Sequence, residues 1–238
     1  MSHLQLALRK VLVDAMTKHF ERDLESLRRD ILFLAGTVEE AINRTIQALQ
    51  ERDVGLAQQV ISGDDAIDSL ENRVGNECLK ILALHQPVAS DLRLIATVLM
   101  INTDLERMGD LAVAIAERTL VLAGSPTVTV PGKLQRMTDL TTSMVRQALD
   151  SFGHLDAQRA RRVCQLDDEV DRYNAEIIQE LIGMMQKNPE LIEPGLSLFS
   201  ATRHLERIAD HATNISEDVI YLVDGEIVRH RPDLIEKP

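Results

Sequence analysis

From Phe20 onward, apolar residues return every three or four positions. Leu24, Leu27, Ile31, Leu34, Val38, Ile42, Ile46 and Leu49 keep this spacing to about Arg52. That period lays one apolar stripe along a helix, so a first long helix is predicted there, preceded by a weakly periodic stretch. A break at residues 53–55 leads to a second helix over about 56–84, with Ile67, Leu70, Val74 and Ile81 facing inward. Gln86 stands before Pro87, which pushes it out of the helical region and ends that helix. Pro87 suits the first turn of a third helix, with Asp91 favourable near its positive end.

The third helix carries a 4-3 seam of Leu94, Val98, Ile101, Leu105, Met108, Ala112 and Ile115, continuing to Leu122. A sustained seven-residue pattern calls for coiled-coil-style packing against neighbours. Gly and Pro residues at 124–126 and 131–132 bracket a linker. A fourth helix is predicted over about 133–152, broken by Gly153, and a fifth as one piece over about 156–187, ended by Asn188-Pro189. The sixth repeats the seam as Leu198, Ala201, Leu205, Ile208, Ala212, Ile215, Val219 and Leu222, and Asp224-Gly225 is its stop. No segment alternates like a strand. The fold class is therefore all-α: two tandem three-helix bundles, six long helices related by internal duplication. The predicted divisions are 1–123 for the first repeat, 124–132 for the linker, 133–225 for the second repeat and 226–238 for a frayed tail.

The duplication is visible in the residues. Leu105-Glu106-Arg107-Met108-Gly109-Asp110 returns as Leu205-Glu206-Arg207-Ile208-Ala209-Asp210, and Asp64-Asp65-Ala66-Ile67-Asp68 is echoed by Asp167-Asp168-Glu169-Val170-Asp171. Each unit thus has two helices bearing carboxylates at i and i+4, one turn apart on one face. The pairs are Asp64/Asp68, Glu106/Asp110, Asp167/Asp171 and Glu206/Asp210. Each like-charged pair costs roughly 0.2–0.5 kcal/mol. All fall off the apolar seams, so a solvated outer face is the bland explanation. Against it stand the recurrence at matching positions and the even placement about the turns. Asp68 and Glu106 lie at nearly equal chain distances from Gln86, as Asp171 and Glu206 do from Pro189. Helices folding back there bring the pairs level. Converging carboxylates ask for cations, and hard cations take oxygen ligands. His211 and Asn214 replace Leu111 and Ala114 of the first repeat, so the second site is expected to differ in ligands or metal.

Composition narrows the partners. The net charge of −12 opposes nucleic-acid binding and favours cations or basic surfaces. The longest largely apolar stretch, residues 94–101, is far too short to span a bilayer, and the N-terminus lacks the sections of a signal peptide. Two cysteines, Cys78 and Cys164, form no CxxC and read as thiols of a reducing cytoplasm.

These duplicated motifs, with Gln86-Pro87-Val88-Ala89-Ser90-Asp91-Leu92-Arg93 and Asp210-His211-Ala212-Thr213-Asn214-Ile215, resemble the PhoU family of phosphate-specific transport system accessory proteins. The similarity runs over about residues 20–225. It implies two three-helix bundles, often in a homodimer, with surface metal clusters of iron or zinc held by the acidic motifs. It also implies negative regulation of phosphate-starvation signalling, and contacts to the phosphate ABC transporter ATPase and a phosphate-sensing histidine kinase at the membrane. Enzyme readings fit less well. A di-iron bundle needs inward Glu-x-x-His pairs, which are lacking. The phosphotransfer candidates His154, His204 and His211 lack a His-x-x-Lys-Gly context, and His204 is expected at the surface beside Glu206. The chief alternative is a metal-independent acidic helical adaptor.

Overall fold

A computed structural model describes the backbone of residues 3–125 and 131–229, with side chains from Lys18 onward. The predicted linker lies mostly outside the described residues, as does the end of the tail. Helix α1 (His3–Glu51) buries Leu27, Ile31, Leu34, Val38, Ile42 and Leu49 and extends well upstream of the predicted start. Asp53 caps helix α2 (Val54–His85), its carboxylate accepting from the Leu56 amide at 2.9 Å. Gln86 closes α2 in the left-handed region at φ 45°, donating its N–H to the Leu82 carbonyl. Helix α3 (Ala89–Gly124) then starts two residues later than expected, with Val88 as its N-cap. Pro87 therefore stands outside the helix and fixes the turn rather than the first helical residue.

The second repeat departs from expectation twice. Helix α4 (Gly132–His154) runs through Gly153 and stops only at Leu155, left-handed at φ 54°. One helical glycine costs about 1 kcal/mol. Here Phe152 is buried, and Arg28 donates to the Gly153 carbonyl at 2.7 Å, holding the last turn. The predicted fifth helix is two: α5 (Ala157–Cys164) and α6 (Asp167–Lys187), parted at residues 165–166. Charge order accounts for the break. Arg161 and Arg162 sit in the last turn of α5, and Asp167, Asp168 and Glu169 in the first turn of α6, each favourable against the local helix dipole. A 3₁₀ turn (Pro189–Leu191) leads into α7 (Ile192–Asp224), which Gly225 ends at φ 75°.

Among the described residues there is no strand, and the helices of both repeats share one continuous aliphatic core. Helices α3 and α7 lie at its centre, in the most extensive helix pairing of the molecule. Most of each predicted seam is buried, Ile101, Leu105, Met108, Ala112 and Ile115 on α3 and Leu205, Ile208, Ala212, Ile215 and Val219 on α7, while Leu94 and Leu222 at the ends are half-buried. Ile95, Thr97, Ala116 and Thr119 are also buried, so α3 is covered on more than its seam. Helices α1 and α4 add a second joint through Gln50 on Thr138 at 3.2 Å and Arg146 on Glu39 at 3.2 Å. Both cysteines are free thiols, and the fully buried Cys78 is pushed up to about 12 chiefly by burial.

Leu205→Ala, at a wholly buried seam position, should lower unfolding free energy by about 2–5 kcal/mol. Phe33→Ala, on a side chain that is 62% exposed, should change it by less than about 0.5 kcal/mol. Urea unfolding of the two variants measures the contrast.

Candidate functional site

The duplicated carboxylates meet across one interhelical groove in each unit. In the first, Asp64 and Asp68 come from α2, and Glu106 and Asp110 from α3. The helices are antiparallel, so Asp64 is level with Gly109 and Asp110, while Asp68 is level with Glu106. Burial, and then the negative charges of Asp68, Asp110 and Asp65, hold the Asp64 carboxyl above its ordinary value. Glu106 is raised chiefly by burial and then by Asp110, against the pull of Arg107; Glu71 and Asp68 add to the rise. In the second unit α6 supplies Asp167 and Asp171, and α7 supplies Glu206 and Asp210. Asp167 is raised to about 6 by burial, with Asp210 and Asp171 adding to it and a hydrogen bond from Thr213 opposing. Glu206 is raised too, chiefly by burial, and so is Asp210, which is crowded by its surroundings although part of its side chain is exposed, with Glu206 and Asp171 adding to the rise.

The register of the repeat extends to burial. Residues 101–110 and 201–210 follow the same order of buried, half-buried and exposed positions, residue for residue. Asp68, Asp110, Asp171 and Asp210 are exposed, whereas Asp64, Glu106, Asp167 and Glu206 are half-buried at the groove floor. Each floor also holds a buried carboxylate oxygen with no hydrogen-bond partner, Oδ1 of Asp64 in one and Oε2 of Glu206 in the other. Such an atom carries desolvation cost with no compensating bond. It therefore marks a place where a cation or donor would be stabilising.

The two grooves are built with compensating volumes. In the first, Ile67 packs on Gly109, where an added Cβ would meet Ile67 Cγ2 at 3.2 Å. At the equivalent positions of the second repeat stand the shorter Val170 and the larger Ala209. Between the repeats one methylene moves from one of these positions to the other, which conserves the paired volume.

Their chemistry differs in ways only partly visible beforehand. Glu71 joins the first site, where its carboxylate accepts from the buried Asn102 amide at 2.9 Å; the equivalent residue in the second is Asn174. That extra acid lies one turn beyond Asp68, at i+3, where an i, i+4 search passes over it. The second site instead has Arg203 on Glu206 at 2.8 Å, and the Thr213 hydroxyl donating to Asp167 at 3.2 Å. Arg107 approaches Glu106 and Asp110 of the first at 3.5 and 3.8 Å. The first site is thus the more negative.

His211 and Asn214 do not join the second site. They reach across to α3, His211 Nδ1 lying 2.7 Å from Asp104 Oδ1 and Asn214 donating to the same oxygen at 3.4 Å. The difference between the sites arises from Glu71, Arg203 and Thr213, not from these two. His204 is half-buried rather than at the surface, its ring against the Ser200 hydroxyl at 3.1 Å. Burial, with Arg207, Arg118 and Arg203 nearby, lowers its proton affinity.

All donors at both sites are oxygens, which suits a hard or borderline cation. Among the described residues, no three His, Cys, Asp or Glu side chains are grouped closely enough to hold an ion as they stand. Holding one would require the exposed aspartates to turn toward the fixed floor carboxylates.

The PhoU domain model matches residues 31–119 and 134–219, two copies in tandem. The chain belongs to the PhoU family. A PhoU homologue of Pseudomonas putida, a phosphate-specific transport system accessory protein, is 44% identical over 218 residues, covering 90% of this chain and 84% of that one. The crystal structure of PhoU from Pseudomonas aeruginosa superposes with a TM-score of 0.85 at 41% identity, covering 87% of this chain and all of that one. PhoU from Streptococcus pneumoniae, a phosphate transport system regulatory protein, gives 0.82 at 33% identity over 88% of this chain and 99% of that one. PhoU proteins are accessory, non-enzymatic proteins, in agreement with the reading of the acidic motifs as non-catalytic. No helix among the described residues is long and apolar enough to cross a membrane.

The raised carboxyl of Asp167 has a stability consequence in metal-free protein. Its value of about 6 lies above the ordinary 3.8, so the fold keeps a proton that the unfolded chain has lost. Ionisation then costs the fold increasingly from about pH 4 to about pH 6, and in full above that. With chelator present, Asp167→Asn should therefore stabilise the protein by on the order of 1–2 kcal/mol above about pH 6, discounting for solvent screening, and by nothing below about pH 4. Thermal melts across that range follow the gain.

Proposed function

We propose that the chain is the regulatory accessory protein of a phosphate-specific transport system, restraining uptake and phosphate-starvation signalling when phosphate is plentiful. The observation that carries this reading is the tandem PhoU domain over most of the chain, with both acidic grooves intact. In this reading the protein is cytoplasmic and dimeric, and contacts the transporter ATPase and a sensor histidine kinase at the membrane. Its net charge of −12 supports basic partner surfaces. Deleting the gene should derepress phosphate-starvation genes in phosphate-rich medium; repression as strong as in the parent strain would end the proposal.

The acidic grooves act, in this proposal, as cation sites that shape the surface a partner reads. Asp64, Asp68, Glu106 and Asp110 would hold cations in the first repeat, with Glu71 beside them. Asp167, Asp171, Glu206 and Asp210 would do so in the second. The unpartnered oxygens of Asp64 and Glu206 support this, and iron or zinc are the metals the family resemblance points to. A bound cation would supply positive charge between like charges. The protein's part is to hold the floor carboxylates in place and to let the exposed aspartates close.

A second reading, an acidic adaptor that needs no metal, is favoured by the lack of a preformed three-ligand group among the described residues. Elemental analysis decides between them. Protein purified without chelator or a metal-binding tag should carry transition metal in both repeats, and Glu206→Ala with Asp210→Ala should remove the second repeat's share. Metal content unchanged by that double substitution excludes this ligand set. Metal-free protein that still binds the ATPase or the kinase leaves the adaptor reading.

A further inference from the structure

A second acidic surface lies away from these grooves, along the seam between α3 and α7. Two cavities, of about 310 and 360 Å³, share Met100 and Arg229 as lining residues. Ala96, Tyr221 and Val228 give the first an apolar wall, and Asp104, Thr103 and Asn214 give the second a polar one. Asp218 faces the first cavity. It is 5% exposed, and its Oδ2 has no hydrogen-bond partner. Burial, Asp104 and Glu217 raise its carboxyl to about 7 against the pull of Arg229.

What covers this surface is the short non-helical segment after α7. Gly225 turns the chain at φ 75°, with Arg93 of α3 packed against it so closely that a Cβ would lie 2.8 Å from the guanidinium. Ile227 then points to solvent at 66% exposure, Val228 is buried at 1%, and Arg229 lies between the cavities. Arg229 reaches Glu217 at 3.4 Å and Asp218 at 3.5 Å with its own side chain 44% exposed. Those separations are long for charge-assisted hydrogen bonds, and a half-exposed pair of this kind holds weakly. The segment also lies beyond residue 219, where the family model's match ends.

We propose that the α3/α7 groove is a docking site for a basic segment of a partner protein, an arginine beside a branched aliphatic residue, and that residues 225–229 fill it in cis as a displaceable gate. The occupant's chemistry is read from the one already in place. A branched side chain fits the wall of Ala96, Met100 and Tyr221, and a guanidinium fork meets two carboxylates. The unpartnered Asp218 oxygen leaves capacity for a bond that Arg229 does not make, so an arginine free to approach more closely would bind better. The proposal does not depend on metal at the duplicated grooves.

The test is a five-residue peptide, Gly-Glu-Ile-Val-Arg with blocked ends, copied from residues 225–229 and titrated against full-length protein by calorimetry. In wild-type protein the tethered segment competes at an effective concentration on the order of millimolar, so binding should be weak. Arg229→Ala removes the competing guanidinium and should tighten binding about tenfold or more. Asp218→Asn added to Arg229→Ala should abolish that gain, as should replacing the peptide arginine by citrulline, which leaves the protein untouched. The proposal is overturned by equal affinity for wild type and Arg229→Ala, by no binding to either, or by citrulline peptide binding as tightly as arginine peptide.

Discussion

Helices α3 and α7 must each bury two faces, one toward the other helices of their own repeat and one toward each other. Burying both faces leaves a narrow strip for solvent. Small buried side chains let neighbouring backbones approach, as at Ala112, whose carbonyl accepts from Thr45 of α1 at 2.8 Å. Polar residues within the pairing must then find partners inside it. Asp104 of α3 does so through His211 and Asn214 of α7. Glu106 and Asp110, and their counterparts Glu206 and Asp210, fall on the remaining strip, beside α2 or α6. The acidic groove is therefore a consequence of the central pairing: the strip left to these four charges is also the edge another helix leans against. This explains why half of the carboxylates are partly buried although none belongs to the apolar seam.

That placement makes the grooves electrostatically frustrated without counter-ions. Burial and like charge both push Asp64, Asp167 and Asp210 toward their protonated forms, and in each groove one carboxylate oxygen is left without a partner. Local relief differs between the repeats. Arg203 and Thr213 relieve the second, while the first gains Glu71 and so becomes more negative. If both grooves take up cations, they should do so unequally, for a reason lying in α2 and on α7 rather than in His211.

Much of this was legible in the chain because burial imposes a period and the repeat supplies a second reading of it. The seams of α3 and α7, the stop at Gly225 and the paired acids follow from spacing alone. Breaks governed by charge or by tertiary support do not. The α5–α6 break has neither Gly nor Pro; its signal is arginines followed by three acids, which a hydrophobic pattern ignores. Gly153 looks like a break, yet Arg28, 125 residues away in the chain, holds its carbonyl. Glu71 lies off the i, i+4 grid, and its role depends on Asn102 of a different helix. His211 was misplaced for a related reason: helical phase sets a direction, but not which of two neighbouring helices stands there.

The divergence of the repeats bears on why the α3/α7 pairing has one covered side. Asp104 corresponds to His204, and Asp218 to Arg118. Both positions changed sign together, and in each case the partners sense each other: Asp104 raises Asp218, and Arg118 lowers His204. Like charges thus lie close on each side of the pairing, although Glu117 beside Arg118 and His211 beside Asp104 offset part of them. On the basic side the conflict is eased because a histidine gives up its proton readily near neutral pH. On the acidic side burial raises the Asp218 carboxyl to about 7, so it too can turn neutral near neutral pH, but its buried Oδ2 is left without a hydrogen-bond partner. That oxygen is a place where a cation from outside the two helices is stabilising. Arg229 supplies that charge in this structure only at 3.4 and 3.5 Å from Glu217 and Asp218, and an arginine able to approach more closely can take its place.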